Sequence, residues 1–145
     1  NCSNNYGPNQ HNEKLIPTVI NSLINKSEIP VYGDGLNVRD WLYVEDHVEA
    51  IDLIFHKGSI GETYCIGGMN EIKNIDLIKM IIKEYDFVQQ NKISSIELIS
   101  FVNDRLGHDY RYAIDISKIN NELGWKPKTK MKKGLKNTLN WYLND

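Results

Sequence analysis

The stretch Leu15-Ile16-Pro17-Thr18-Val19-Ile20-Asn21-Ser22-Leu23-Ile24, followed by Pro30-Val31-Tyr32-Gly33-Asp34-Gly35, decides the fold class. Residues 15, 16, 19, 20, 23 and 24 are apolar, the spacing of one helical face, which predicts an amphipathic helix from about Glu13 to Lys26. Pro17 fits that helix only within its first turn, where a missing N–H costs nothing. The second part predicts a short strand, Pro30-Val31-Tyr32, closed by a glycine turn. Helix running quickly into strand indicates a mixed α/β chain.

The same alternation continues outward. A helix is expected from Val44 to His56, with Val48, Ile51 and Phe55 on one face. Thr63-Tyr64-Cys65-Ile66 is β-prone and stops at Gly67-Gly68. Asn74 is expected to cap a helix from Ile75 to about Tyr85, with Ile78, Ile81, Ile82 and Tyr85 inward. Ile96–Val102 alternates as a strand, and Asn103–Asp109 follows as a polar loop. Asp115 is expected to cap a short helix ending at Gly124, beyond which Pro127 blocks continuation. A last helix, about Lys132 to Leu143, turns Leu135, Leu139 and Tyr142 inward. No internal repeat or low-complexity segment interrupts the pattern.

A chain of 145 residues suffices for one core. Seventeen basic against nineteen acidic residues give a net charge of -2, which argues against nonspecific binding to nucleic acid or an acidic membrane. Apolar runs span only a few residues, so no membrane-spanning segment is expected. Asn1–Tyr6 has neither a basic nor an apolar leader region. Cys2 and Cys65 are too few for a disulfide scaffold and lack metal-ligand spacing, so a reducing cytoplasm is the expected location. Only three of the seventeen basic residues are arginine: Arg39, Arg105 and Arg111. They are either reserved for gripping phosphate or carboxylate with a planar fork, or scattered by chance.

Gly33-Asp34-Gly35 supplies the first two glycines of a dinucleotide fingerprint, but Val38 holds the third position. Gly58 and Gly61 have the right spacing, with Tyr64 where another glycine is needed. Neither leads from a buried strand into a helix N-terminus, so both are read as turns. His11, His47, His56 and His108 show no metal-type spacing, and no metal is expected. His47 and His56 are assigned to helix surfaces. His108 shares its loop with Asp104, Arg105 and Asp109 and is the histidine best placed for function, a surface-loop histidine being the alternative. The amide-rich segment from Cys2 to Pro17 suits recognition of sugar hydroxyls or a carbonyl edge, or is an ordinary asparagine-rich turn.

Several strings together resemble the nucleotide-sugar 4,6-dehydratases of the dTDP-glucose type, in the extended short-chain dehydrogenase/reductase superfamily. They are Ser3-Asn4-Asn5-Tyr6-Gly7-Pro8, Glu13-Lys14-Leu15-Ile16-Pro17, Val31-Tyr32-Gly33-Asp34-Gly35 and Arg39-Asp40-Trp41-Leu42-Tyr43-Val44-Glu45-Asp46-His47. Gly61-Glu62-Thr63-Tyr64, Ile66-Gly67-Gly68, Asp104-Arg105, Gly107-His108-Asp109, Arg111-Tyr112-Ala113-Ile114-Asp115 and Glu122-Leu123-Gly124-Trp125-Lys126-Pro127 extend the match in family order. Leu106 stands where the family usually has proline, Asn12 replaces another common proline, and Cys65 a common asparagine.

The resemblance implies an α/β fold: the C-terminal substrate-binding lobe plus late elements of a Rossmann-type fold. Residues 1–145 are then the nucleotide-sugar-binding portion of a larger NAD-dependent dehydratase. The glycine-rich NAD turn, the Tyr-x-x-x-Lys pair and the Asp-Glu acid/base pair would lie in an N-terminal half not in this sequence. No catalytic residue is expected here, and the chain alone is expected to be inactive. Glu45-Asp46 is read as first-turn charge on a helix, not as that catalytic pair.

The implied reaction removes a hydride from C4 of the sugar, eliminates water across C5–C6 and returns the hydride at C6. Asn4 would hold the substrate diphosphate or sugar, and Asn5 the nicotinamide side of NAD. Lys14 and Leu15 would contact the nucleotide, and Pro30 and Tyr32 would flank its base. Arg39 and Arg105 would clamp phosphate oxygens. Asn74 and Asp104 match substrate positions, and His108 would close the site. Arg111 is expected to order its own loop against Asp104 or Asp109. The substrate would be dTDP-glucose or UDP-glucose, and the full-length enzyme a homodimer. The alternatives are a sibling epimerase or decarboxylase, or a non-catalytic sugar-nucleotide-binding module.

Overall fold

The computed structural model describes residues 1–144. In chain order its elements are β1 (Asn4–Tyr6), α1 (Leu15–Asn25), β2 (Ile29–Tyr32), β3 (Val38–Tyr43) and α2 (Val44–Lys57). Then come β4 (Glu71–Lys73), α3 (Asn74–Gln89), a 3-10 turn at Ser95–Leu98, β5 (Ile99–Val102), β6 (Arg111–Tyr112), α4 (Ser117–Leu123) and α5 (Met131–Asn144).

Strand β3 organises the rest. Its C-terminal half pairs in parallel with β1, Asn4 opposite Trp41 and Tyr6 opposite Tyr43. Its N-terminal half pairs antiparallel with β4 and parallel with β6. A separate parallel pair joins β2 to β5. Successive side chains of a strand point to opposite faces, and β3 uses both. Trp41 and Tyr43 enter one core with Tyr6, α1, α3 and α5; Leu42 enters a second with Ala50, Tyr64, Ile66, Ile116, Ile119 and Trp125. Burying a large apolar side chain contributes roughly 1.5–3 kcal/mol, so a strand that serves two cores is costly to disturb.

The helices predicted from periodicity are present, with Pro17 in the first turn of α1. Several local expectations are corrected. Val48, Ile51 and Phe55 lie on the outer face of α2, Phe55 being 85% exposed; the inward face is Asp46 and Ala50, with Leu53 and Ile54 packed partly against the second core. Thr63–Ile66 forms no strand, only an isolated parallel bridge between Cys2 and Ile66. Asn74 does not cap α3: it is the helix's first residue, and Lys73 precedes it as N-cap with no side-chain bond. Of Ile96–Val102, the first part winds into the 3-10 turn and only Ile99–Val102 is strand. Asp115 does serve the start of α4, accepting from Ser117 N at 2.7 Å and Ser117 Oγ at 2.6 Å.

Buried Asp46 is more than first-turn charge. It accepts from the backbone N–H groups of Lys128 and Thr129 and from Thr129 Oγ1, tying the segment before α5 to α2. No helix among the described residues is long and apolar enough to cross a membrane.

Candidate functional site

The turn Gly33-Asp34-Gly35 shows how the site is framed. Gly33 and Gly35 have φ of 59° and 72°, a region that favours glycine, and the turn leads from β2 into β3 rather than into a helix. It is a reversal and not a phosphate cradle. A Cβ on Gly33 would lie 3.0–3.2 Å from the Asp104 side chain, so the turn backs directly onto the polar loop 103–110.

Between this turn, the start of α1 and that loop lies a half-open cavity of about 590 Å³. Nine of the ten substrate positions implied by the resemblance line it: Asn4, Lys14, Leu15, Pro30, Tyr32, Arg39, Asn74, Arg105 and His108. Asp104 does not; it stands behind His108, with Oδ1 2.7 Å from His108 Nδ1. Hydrogen bonds from His108 and from the Arg105 N–H hold the Asp104 carboxyl below the usual carboxylate range.

The two cavity arginines are held differently. Arg39 donates from Nη1 to its neighbour Val38 O and from Nη2 to Asp109 O, each at 2.7 Å. A guanidinium has five N–H groups, so three remain for a ligand. Arg105 lies over the Tyr32 ring, its Cζ 4.2 Å from the centroid, a cation–π arrangement that occupies one face of that ring. Any base stacking on Tyr32 is therefore confined to the other face. Arg111 is absent from the cavity, and its expected partners are corrected: it grips Glu71 with two bonds of 2.6 and 2.7 Å. Strands β4 and β6 flank β3 in register, Lys73 and Arg111 both opposite Val38, which brings these distant segments together.

Three lining residues were not anticipated: Glu13, Thr18 and Trp41. Spacing could have found two of them. Thr18 is one helical turn from Lys14, and Trp41 is two strand residues from Arg39, so each shares a face with a residue already chosen. Trp41 is 4% exposed and, among the described residues, its indole Nε1 has no partner; neither does the buried Oδ1 of Asn74. Unpaired buried polar atoms are uncommon, and two of them belong to lining residues of one cavity.

Asn5 lies elsewhere. It follows Asn4 in β1, so alternation turns its side chain away from the cavity and toward α2. There its Oδ1 meets His47 Nδ1 at 2.7 Å, which makes His47 a half-buried partner and not the surface residue expected. Asn5 Nδ2 donates to Ser3 O at 3.1 Å and, weakly, to Cys2 Sγ at 3.4 Å. The described residues hold no glycine-rich turn opening a helix, so they do not form a dinucleotide cradle. Asn5 does fit a single contact to NAD, because sulfur is a weak acceptor that a carbonyl oxygen readily displaces.

A family described as GDP-mannose 4,6 dehydratase matches residues 1–138. A dTDP-glucose 4,6-dehydratase of Escherichia coli is 52% identical over 149 residues, covering 100% of this chain and 41% of the relative. The crystal structure of dTDP-glucose 4,6-dehydratase from Bacillus anthracis in complex with NAD superposes with a TM-score of 0.90 at 45% identity, covering 99% of this chain and 43% of that one. DesIV, the dTDP-glucose 4,6-dehydratase of Streptomyces venezuelae with NAD and TYD bound, gives 0.92 at 40% identity over 99% of this chain and 42% of its own. The chain thus spans about two fifths of the length of the relatives it matches. These superpositions confirm the α/β fold of the extended short-chain dehydrogenase/reductase type. With sequence, fold and family profile in agreement over nearly every residue, the chain belongs to the GDP-mannose 4,6-dehydratase family.

Proposed function

We propose that this chain is the substrate-binding portion of a longer NAD-dependent dehydratase that converts dTDP-glucose to its 4-keto-6-deoxy product. The observation that carries the proposal is the convergence of Lys14, Arg39 and Arg105 on one cavity that also offers Tyr32, Pro30, Asn4 and Asn74. Three cations against the single acid Glu13 suit a diphosphate, and Tyr32 beside Pro30 suits a base. Asn4 and Asn74, each with donor and acceptor capacity, suit sugar hydroxyls. The identities of 40–52% to dTDP-glucose 4,6-dehydratases support this substrate over UDP-glucose.

Bound NAD would supply the hydride chemistry, held chiefly by residues outside this chain. The residues here have a different task. Charge-assisted bonds to the diphosphate are made far from the reacting carbons, and that remote binding energy fixes where the sugar ring lies. Arg39 and Arg105 line the same cavity on different supports: one stands on β3 and is tied to Val38 O and Asp109 O, the other is carried by the loop and braced on Tyr32. His108, oriented by Asp104, closes the loop side.

The test is product formation. The longer protein that carries this chain, supplied with NAD, is given dTDP-glucose or UDP-glucose and assayed for the 4-keto product by its absorbance in alkali. Product from dTDP-glucose, with little from UDP-glucose, is expected. No product from either overturns the proposal.

A further inference from the structure

Helices α3 and α5 pack against each other and leave a half-open groove of about 430 Å³ between them. It shares no lining residue with the cavity that holds Arg39 and Arg105. Met80, Lys83, Glu84 and Phe87 recur at i, i+3, i+4 and i+7, so one face of α3 forms one wall. Lys132, Leu135 and Lys136 form the other from one face of α5. The floor is fixed, because buried Leu135 belongs to the main core and Met80 packs partly against it. Phe87, near the end of α3, is 78% exposed. A ring so open adds little to the fold, and aromatic side chains of this kind are what interfaces bury.

Cations stand on both rims: Lys83 on α3, and Lys132 and Lys136 on α5, against the single acid Glu84. None of the three makes an ion pair among the described residues. Lys132 and Lys136 lie one turn apart on the same helix face, where like charges repel. The excess is regional: residues 123–144 carry six lysines and no acid, in a chain whose net charge is -2.

We propose that this groove receives an acidic amphipathic helix of a partner protein, its apolar stripe on Met80, Leu135 and Phe87 and its carboxylates meeting the lysines of both rims. From Met80 to Phe87 α3 advances about 10 Å, at about 1.5 Å per residue, which matches the span of apolar anchors at i, i+4 and i+7 on a docked helix. Lysine stems lie along apolar surface while their heads stay in water, which extends both walls. A small amphiphile with one charged head would use only one rim. A bilayer surface cannot follow the concave floor down to Leu135. Phosphate is gripped best by the planar fork of arginine, and the lining residues include no arginine; mobile ammonium groups suit the carboxylates of a partner.

The experiment follows the fluorescence anisotropy of labelled synthetic helices added to the longer protein that carries this chain. Each peptide has glutamates on both sides of a stripe of leucine, isoleucine or phenylalanine at i, i+4 and i+7; a counterpart set has lysine for every glutamate. At least one acidic peptide is expected to bind with Kd below about 100 μM, and about tenfold or more tighter than its basic counterpart. Phe87→Ala is expected to weaken that binding at least about fivefold. Lys132→Glu combined with Lys136→Glu is expected to weaken it at least about tenfold. All three side chains are exposed, so unchanged thermal melting is expected of both variants. Absence of binding by every acidic peptide overturns the proposal, and so does binding that either variant leaves unaltered. If the same variants instead abolish binding to phosphatidylserine vesicles, or a concentration-dependent self-association, while no peptide binds, the occupant is a membrane or a second copy and the proposal fails.

Discussion

Gly134, in the first turns of α5, lies directly against the phenol of Tyr6: a Cβ there would stand 2.8 Å from Tyr6 Cζ and closer still to its hydroxyl. A glycine inside a helix usually weakens it by about 1 kcal/mol relative to alanine. Here the missing side chain admits an aromatic ring that is 1% exposed and belongs to the main core.

Gly134→Ala is therefore expected to destabilise the fold by about 1–2 kcal/mol, overpacking outweighing the gain in helix propensity. The Tyr6 hydroxyl is buried without a partner among the described residues, and burial first, then the neighbouring Tyr43 and Asp46, pushes its pKa strongly upward. Tyr6→Phe removes that unpaired group and the atom nearest the new methyl. It is expected to cost little alone and to recover part of the Gly134→Ala loss. Chemical denaturation of the single and double variants measures both; purely additive effects would contradict the contact.

Arg39→Ala is expected to weaken dTDP-glucose binding by about 2 kcal/mol, the scale of a lost charge-assisted bond. Arg39→Lys should recover little, because an ammonium cannot hold Val38 O, Asp109 O and a phosphate at once in the guanidinium's plane. Calorimetric titration distinguishes these outcomes. Full recovery by lysine would mean that charge alone matters.

The loop turn Arg105-Leu106-Gly107-His108 closes with His108 N–H donating to Arg105 O at 3.3 Å, and Gly107 has φ of 72°. Positive φ at the third turn position marks a type II turn, whose second position favours proline. Leu106 occupies that position fully exposed. Leu106→Pro is expected to stabilise the protein by about 0.4–1 kcal/mol by restricting the unfolded loop. It should also tighten ligand binding modestly, since Arg105 and His108 are the turn's two ends. Thermal melting and titration check the two effects separately.

Asp86 ties down the chain after α3. Its carboxylate accepts from Ser95 Oγ at 2.5 Å, Ser95 N at 2.9 Å, Asn91 Nδ2 at 2.9 Å and Ser94 Oγ at 3.2 Å. Burial alone would raise its pKa, but these bonds outweigh burial and the net shift is downward from 3.8. A carboxyl with depressed folded pKa contributes stability that is present above 3.8 and lost as pH falls through the lower folded value. Hydrogen exchange of the Ser95 amide should show constant protection between about pH 5 and 8 and falling protection below about pH 4. In Asp86→Ala the protection should be low throughout. Equal protection at pH 3 and pH 6 in the unaltered protein would rule out the tie.

Much of this was legible along the chain because helix periodicity survives wherever one face is buried. Ile78, Ile81, Ile82 and Tyr85 read as core and are core. Periodicity misled at α2, where Val48, Ile51 and Phe55 share a face that nothing in the described chain covers. Strand β3 escaped notice because it alternates between two cores and so shows no polar face, while carrying buried Asp40 within it. Arg111 was assigned to near neighbours because its true partner, Glu71, becomes adjacent only once β4 and β6 flank β3. The cavity residues were reached by likeness of motif, and only Thr18 and Trp41 had a spacing that local geometry could have supplied.

The pairing of β1 with β3 also governs what kinds of sequence change this protein tolerates. Asn4 looks into the cavity and Asn5 looks toward α2 only because each stands opposite a particular residue, Trp41 and Leu42. Inserting or deleting one residue in this strand would exchange the two faces at a stroke, leaving every side chain intact but aimed the wrong way. Point substitutions here trim single contacts; a one-residue shift in reading along β1 would rewire both sides of the sheet together.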